Sequence, residues 1–541
     1  MKTISALLAC MTMAFAANAQ WTNFPDPPLA ICAAANEQNA VKAVSDGADG
    51  WYVLWLDGRV SNTKDEVYGQ HVNADGVALW EADGRQLIAD PVKKVGDFAV
   101  CLTDAGSLFI AWVHGTDTLK AQLLDAAGAS TWPQPALVAG RLNANAYNIA
   151  APRVLARGNG AFVTWMADHQ GSNAVVAYNV VDGAGGVMHG FNGIYIPSSG
   201  YAVNGVNPDG SGGMFIHWAT ANALGAGIRV RRVDANGDLQ WVGNVAPTTG
   251  SAGISDGEYT AVYDGTDGLV VVWNNNGDVL MSRVDISGAL TWSPAIKPVC
   301  VQSNTQRRPT VVAQGGHLYF AWSDARPPAN NTDLFAQKMD LNGDPLWTVD
   351  GVLAIRENTY IPHARIAPTP DGGAYVVHKA SGGFKAMLLN SSGVPVWDPA
   401  YKMTEASYAP FYGDVRMLPT SDGNAVIFWA TQGNNIHGTR IDPSSGISTG
   451  ISAPDDAVIL TAFPNPAHDR VNIVCGADLF GKRGVIEVFD ATGKRVQAEQ
   501  VASLKVLQEL ELSSDRKEGL YLVMVRVEGQ APRSARLVVS R

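Results

Sequence analysis

The stretch Leu269-Val270-Val271-Val272-Trp273, followed twelve residues on by Asp285-Ile286-Ser287-Gly288-Ala289-Leu290-Thr291-Trp292, carries the architecture of the whole chain. Its first part is an apolar, β-branched run closed by an aromatic, the composition of a strand buried on both faces. In its second part Asp285 can bond its own downstream backbone and Gly288 can take a positive φ, which makes a hairpin turn before the second Trp. The pattern returns throughout. Apolar runs end in Trp55, Trp112, Trp165, Trp218, Trp273, Trp322 and Trp429, with His378 in the seventh slot, at spacings of 57, 53, 53, 55, 49, 56 and 51 residues. A second column holds Trp21, Trp80, Trp132, Trp241, Trp292, Trp347 and Trp397, with His189 near its gap. The two columns take 14 of the 15 Trp, so most of the chain is an array of like units.

The turn residue recurs as Asn73, Asp125, Asp182, Asp234, Asp285, Asp340, Asn390 and Asp442, and a Gly follows three residues on in seven units and four on in the eighth. Each unit reads as four short strands, with no helical periodicity anywhere, and four-strand units at this period build a β-propeller. The eighth unit stops after its third strand at Ile441-Asp442, while Trp21 opens an orphan fourth strand near the N-terminus. The N-terminal segment is therefore expected to complete the last blade and leave no free edge. The expected fold class is all-β: an eight-bladed β-propeller closed by an N-terminal strand, followed by an immunoglobulin-like β-sandwich.

The ends differ from the middle. Residues 1–19 read as a signal peptide, with Lys2, an apolar run from Ile4 to Ala16 and Ala17-Asn18-Ala19 before Gln20. A lipoprotein reading through Cys10 would leave almost no apolar core before the cysteine. No later run reaches the roughly 20 apolar residues of a bilayer span, so no transmembrane segment is expected. Residues 20–446 are assigned to the propeller, 447–456 to a linker and 457–541 to a C-terminal domain. That last domain carries 12 Lys+Arg against 10 Asp+Glu, net +2, whereas residues 20–456 carry 26 against 40, net −14. The shift marks a boundary, and the acidic body argues against nucleic acid as a partner. A monomer is expected.

The C-terminal stretch Phe463-Pro464-Asn465-Pro466, then Val471-Asn472-Ile473-Val474, Asp490-Ala491-Thr492-Gly493, Gly519-Leu520-Tyr521 and Ala535-Arg536-Leu537-Val538-Val539 resembles the type A sorting domain of type IX secretion cargo in order and spacing. Arg536 stands where that family usually has lysine. The resemblance implies Pro464, Asn465, Pro466, Asp490, Gly493, Gly519, Tyr521 and Arg536 as sorting-motif residues and the secretion machinery as a partner. It also implies passage across the outer membrane, often with loss of this domain and attachment to the surface. The spaced Asp-x-x-Gly-x-x-x-Trp, as in Asp125, Gly128 and Trp132, resembles the tryptophan-docking repeat of eight-bladed quinoprotein propellers, without that family's usual Thr before the Gly. It implies geometry alone: Trp rings wedged between blades.

Chemistry is sparse. Gly253-Ile254-Ser255-Asp256-Gly257 matches a nucleophile elbow formally, yet a strand follows where a helix is required. Thr369-x-Asp371-x-Gly373-x-Tyr375, a partial Asp-box, occurs once and is explained by turn chemistry. Four cysteines after Cys10, namely Cys32, Cys101, Cys300 and Cys475, have no metal spacing and no vicinal pair, so neither a metal site nor a quinone cofactor is expected. The candidate binding face consists of the loops after the second strands. There Trp55-x-Asp57-x-Arg59 and Trp322-x-Asp324-x-Arg326 recur, each leading to a long insertion. Each Asp–Arg set is expected to brace its loop, the alternative being two polar sites for a ligand. Asp168, His169, Asn274, Asn275 and Asn276 decorate the same face; they could hold sugar hydroxyls or calcium, and their spacing specifies neither. The leading expectation is a non-catalytic module for an unknown extracellular glycan, peptide or protein. The rival is a polysaccharide hydrolase or lyase with carboxylates at the channel mouth.

Overall fold

The computed structural model describes residue 21 and residues 28–445 and 460–540, apart from 62–63, 90–92, 141–147, 170–172, 197–203, 221–226, 249–257, 328–331, 360–363, 381–382, 398–399, 404–409, 432–434, 464, 466, 476–478, 491–493, 514–516 and 528–532. The signal peptide, the linker, Gly253–Gly257, Pro464, Pro466 and Gly493 lie outside the described residues. Of Asp168, His169 and Arg536 the backbone alone is described.

The fold is all-β. Eight antiparallel sheets follow one another along residues 38–88, 95–140, 149–196, 204–233, 259–300, 306–359, 364–402 and 410–441, here numbered one to eight. Each is a meander of consecutive strands, and sheet eight gains Leu29–Cys32 as its fourth strand, paired with Ile436–Ile441. The second strands carry the apolar runs: Met214–Thr220 and Ala425–Thr431 are buried at every position, as strands packed on both faces must be. First strands touch in chain order from sheet to sheet, and the first strand of sheet one, Gln38–Ser45, touches that of sheet eight, Pro410–Pro419.

Sheet four departs from the four-strand expectation. Among the described residues it has three strands, and the fourth is reduced to a single bridge between Val230 and Val245. The Trp241 segment runs through Gly243 and into Pro247, residues that weaken or cannot donate to a ladder, and Val242 is fully exposed.

Second-column Trp rings close the joints between sheets. Trp132 Nε1 donates to the Gly183 carbonyl at 2.9 Å, Trp292 to Leu341 at 3.0 Å, Trp347 to Ser391 at 2.9 Å and Trp397 to Pro443 at 3.1 Å. Trp21 and Trp241 make the same bond to Ala74 and Ile286. In every case the acceptor is the residue just after the turn Asp or Asn of the next sheet. The ring lies on that turn's glycine: a Cβ on Gly393 would stand 2.7 Å from Trp347, and φ there is +78°. In the sheet-three gap, His189 reaches the Gly237 carbonyl instead.

The C-terminal unit has two further sheets, Thr461–Phe463 with Arg470–Val474 and Leu507–Glu511, and Arg495–Val501 with Gly484–Asp490, Gly519–Val527 and Arg533–Val539. Val471, Ile473, Ile486, Val523 and Leu537 of both sheets form one buried core. The Asp490 carboxylate accepts the Lys494 amide at 3.0 Å across the hairpin turn, Asn465 accepts the Val538 amide at 2.7 Å, and the Tyr521 hydroxyl donates to the Lys517 carbonyl at 2.7 Å. No helix among the described residues is long and apolar enough to cross a membrane.

Candidate functional site at the loop-bearing end

The Trp-x-Asp-x-Arg sets of sheets one and six form two copies of one cluster. Asp57 is fully buried and accepts Trp55 Nε1 at 2.7 Å, the Arg59 amide at 2.8 Å and Arg59 guanidinium nitrogens at 2.7 and 3.0 Å. Asp324, equally buried, accepts Trp322 Nε1 at 2.8 Å, the Arg326 amide at 2.9 Å and the Arg326 guanidinium at 2.6 Å. Alternation puts each Asp two residues past its Trp on the same face, so the indole N–H finds an acceptor beside it. Each Arg stacks on the aromatic of the third strand, Tyr68 at 4.0 Å and Phe335 at 3.9 Å from the ring centroid.

These clusters reach further than the sequence pattern indicates. Arg59 also donates to the Asp83 carbonyl at 2.7 Å and to Cys32 Sγ at 3.3 Å; Arg326 donates to the Asp350 carbonyl at 2.7 Å and to Cys300 Sγ at 3.0 Å. Asp83 and Asp350 in turn accept the backbone amides of Ala33 and Val301. Each cluster therefore ties its sheet to the end of the preceding sheet's fourth strand. For sheet one that strand is the N-terminal Leu29–Cys32. The signal was present as Trp80-x-x-Asp83-Gly84 and Trp347-x-x-Asp350-Gly351, two matched tails of the second column. Burial, opposed by the neighbouring arginine, pushes the Cys32 thiol up to about 11 and Cys300 to about 12, so both stay protonated at neutral pH.

The other candidates are dispersed. Asp168 lies in the second strand of sheet three, paired with Ala174, and half-buried Asn275 pairs with Asp278 at a hairpin tip of sheet five. Asn274 donates to the Gln306 carbonyl of sheet six. Among the described residues no hydrogen bond or ion pair links Asp57, Asn275 and Asp324 to one another. Among the described residues no group of three His, Cys, Asp or Glu could hold a metal ion. His378, in the Trp slot, is buried with Nε2 at 3.5 Å from Glu357, which also pairs with Lys385 at 2.5 Å.

The first strands hold a set of residues that motif reading passes over. Opposite the residue preceding each first-column position, they place Lys42, Ala99, Arg153, Gly205, Thr260, Thr310, Arg365 and Arg416 in sheets one to eight. Four are basic and none is acidic. A basic residue thirteen positions before Trp55, His378 and Trp429, and twelve before Trp165, was the available signal. At the Gly205 position a Cβ would stand 2.2 Å from the His217 ring, so the glycine makes room for it. His217 lies 3.2 Å from the Asn207 amide nitrogen through Nε2 and 3.4 Å from the Tyr259 hydroxyl through Nδ1. With Asn207 donating, Nε2 accepts and Nδ1 carries the proton, the neutral tautomer.

Burial, and then the charge of Arg153, push His217 down to about 4 from 6.5. Below pH 6.5 the unfolded chain takes a proton that the folded chain refuses, so stability falls as pH drops from 6.5 toward 4. Between pH 7 and 4.5 the expected loss from this group is about 2–3 kcal/mol. Urea unfolding at both pH values checks it: His217→Gln should shrink the pH effect by that amount, and an unchanged pH effect would exclude His217 as its source.

The family model described as the secretion system C-terminal sorting domain matches residues 461–540. The chain thus carries a type IX sorting signal and is exported across the outer membrane to the cell surface or extracellular space. No curated protein matches the chain. Among solved structures it is similar to prolyl oligopeptidase B from Galerina marginata, at 10% identity and TM-score 0.40, over 81% of this chain and 56% of that one. It thus spans little more than half of that enzyme's length. It is also similar to the α-L-arabinanase of Penicillium chrysogenum, at 11% identity and TM-score 0.34, over 65% of this chain and 94% of that one.

Proposed function

We propose that the eight sheets are the blades of a closed eight-bladed β-propeller, followed by an immunoglobulin-like sorting sandwich. In this reading the propeller is a non-catalytic module that binds an extracellular glycan, peptide or protein. Pairing of Leu29–Cys32 with the last sheet, and contact between the first strands of sheets one and eight, support closure. One observation carries the binding reading. The carboxylates of the two repeated Trp-x-Asp-x-Arg sets, Asp57 and Asp324, are buried and have their oxygens committed to Trp and Arg donors. Catalytic carboxylates need access to a substrate proton. The Asp–Arg sets then brace the mouth, and recognition falls to the groups around them.

A glycan array on the mature protein, with and without calcium, tests this: retention of one glycan class without release of reducing ends is expected, and turnover of any arrayed polysaccharide would replace the reading with the hydrolase or lyase one. Export has its own check. Deleting residues 457–541 should leave the protein inside the outer membrane, and appearance of the truncated chain in the medium would sink the sorting assignment.

A further inference from the structure

We infer that the intact chain carries its sorting domain docked on the rim of sheet seven, where the outer face of the domain's small sheet covers Val396, and that loss of the domain bares this patch. The covering face follows from alternation. Ala462 and Ile473 point into the domain's own core, so their neighbours Phe463 and Val474, with Leu507 paired opposite Val474, face the other way. That face is not in water. Phe463 and Val474 are buried, and both belong to one apolar cluster with Val396, Trp397 and Ile441 of the eight-sheet body, against which Leu507 packs. The outer face of the domain's other sheet is bare, with Leu520 and its strand partner Val538 exposed.

The repeat supplies the control. The residue before the second-column position has one backbone setting in sheets one, three, six and seven: the amides of Leu79, Met188, Leu346 and Val396 donate to the carbonyls of His71, Val180, Lys338 and Leu388. Leu79, Met188 and Leu346 are 51%, 49% and 49% exposed, whereas Val396 is 8% exposed. A position that the other three sheets leave in water is dry in sheet seven, and the members of its cluster from outside the eight-sheet body are Phe463 and Val474 of the sorting domain. Charge favours the same partner, since the body carries net −14 and the domain net +2. The domain keeps a separate core of its own, so the dock is a reversible contact between two folded units. An apolar patch released into water by its opening is a surface for partners or for self-association.

The test is thiol labelling of the mature full-length chain carrying Val396→Cys or, at the same repeat position of sheet six, Leu346→Cys, with the unaltered chain as the background from its own four cysteines. Expected is labelling roughly ten-fold or more slower at position 396 than at 346, and recovery of most of that difference when Phe463→Ser is added. Hydrogen exchange across Gly519–Val527 reports whether the domain's own core survives that change. If it does not, Leu507→Ser, at a half-buried site, takes its place. Equal labelling of the two positions overturns the dock. Protection at position 396 that survives both Phe463→Ser and Leu507→Ser overturns the sorting domain as its cover.

Discussion

Asp57→Ala is expected to lower the unfolding free energy by about 3 kcal/mol, the cost of stranding one partner of a buried ion pair. The carboxylate is fully buried, and removing it leaves the Trp55 N–H without its acceptor and the Arg59 guanidinium without its counter-ion, with the Asp83 carbonyl and Cys32 Sγ as remaining acceptors. Arg59 keeps a fifth of its side-chain surface, so water reaches it in part and the loss sits at the lower end of the range for buried pairs. Asp57→Asn keeps one acceptor and should cost about half as much. Asp324→Ala removes the same contacts in sheet six and should match Asp57→Ala in size. The two differ in consequence. Only the sheet-one cluster holds Cys32 and, through Asp83, the Ala33 amide, so only Asp57→Ala should speed amide exchange across Leu29–Cys32. Urea unfolding and hydrogen exchange check both parts. A loss under 1 kcal/mol, or equal exchange in the two variants, would remove the brace from the account.

Half of that cluster was legible in the chain. Trp-x-Asp-x-Arg places indole, carboxylate and guanidinium on one strand face by alternation, and its recurrence in two units marked it as a device. The remainder, Cys32 with Asp83 and Cys300 with Asp350, lies 24 to 27 residues away, across a strand and across a joint. Pairing between sheets has no fixed offset in sequence, so no local rule reaches it. The basic level of the first strands was hidden for another reason. Lys42, Arg153, Arg365 and Arg416 are ordinary residues in short strands, and a β-bulge shifts the register before three of them, between Asn39 and Lys42, Ala150 and Arg153, and Pro410 and Val415. Alternation counted from a strand's start assigns them to the wrong side.

The array itself was more readable, because a repeat averages out local ambiguity. Eight Asx–Gly turns and eight apolar runs agree where any single one could belong to another fold. Sheet four is the instructive departure. Trp241 and its turn follow the pattern, yet Gly243 weakens the next segment and Pro247 lacks a ladder donor, and among the described residues Val245 is left as a lone bridge. Trp241 itself sits at φ +65°, so the chain turns sharply there, which a list of Trp positions does not reveal.

The joints should be the other dominant source of stability, and Trp347 is where this can be measured most cleanly. Trp347→Ala is expected to cost about 3–5 kcal/mol, as for other large-to-small changes at buried aromatics. The ring is 6% exposed, packs edge-on against Tyr319 at 6.3 Å and donates to Ser391 across the joint. Trp347→Phe keeps most of the area and strands the Ser391 carbonyl, so about 1–2 kcal/mol is expected. The glycine beneath the ring separates packing from backbone strain. Gly393→Ala in the unaltered chain adds a methyl 2.7 Å from the indole and asks alanine to hold φ +78°. In a Trp347→Ala background the collision disappears and only the backbone strain remains. The double variant should therefore be less destabilised than the sum of the single ones, by 1 kcal/mol or more on the order seen for residues in contact. Strict additivity in urea midpoints would mean that the ring does not seat on the turn, and the joint would have to draw its stability from the flanking apolar strands alone.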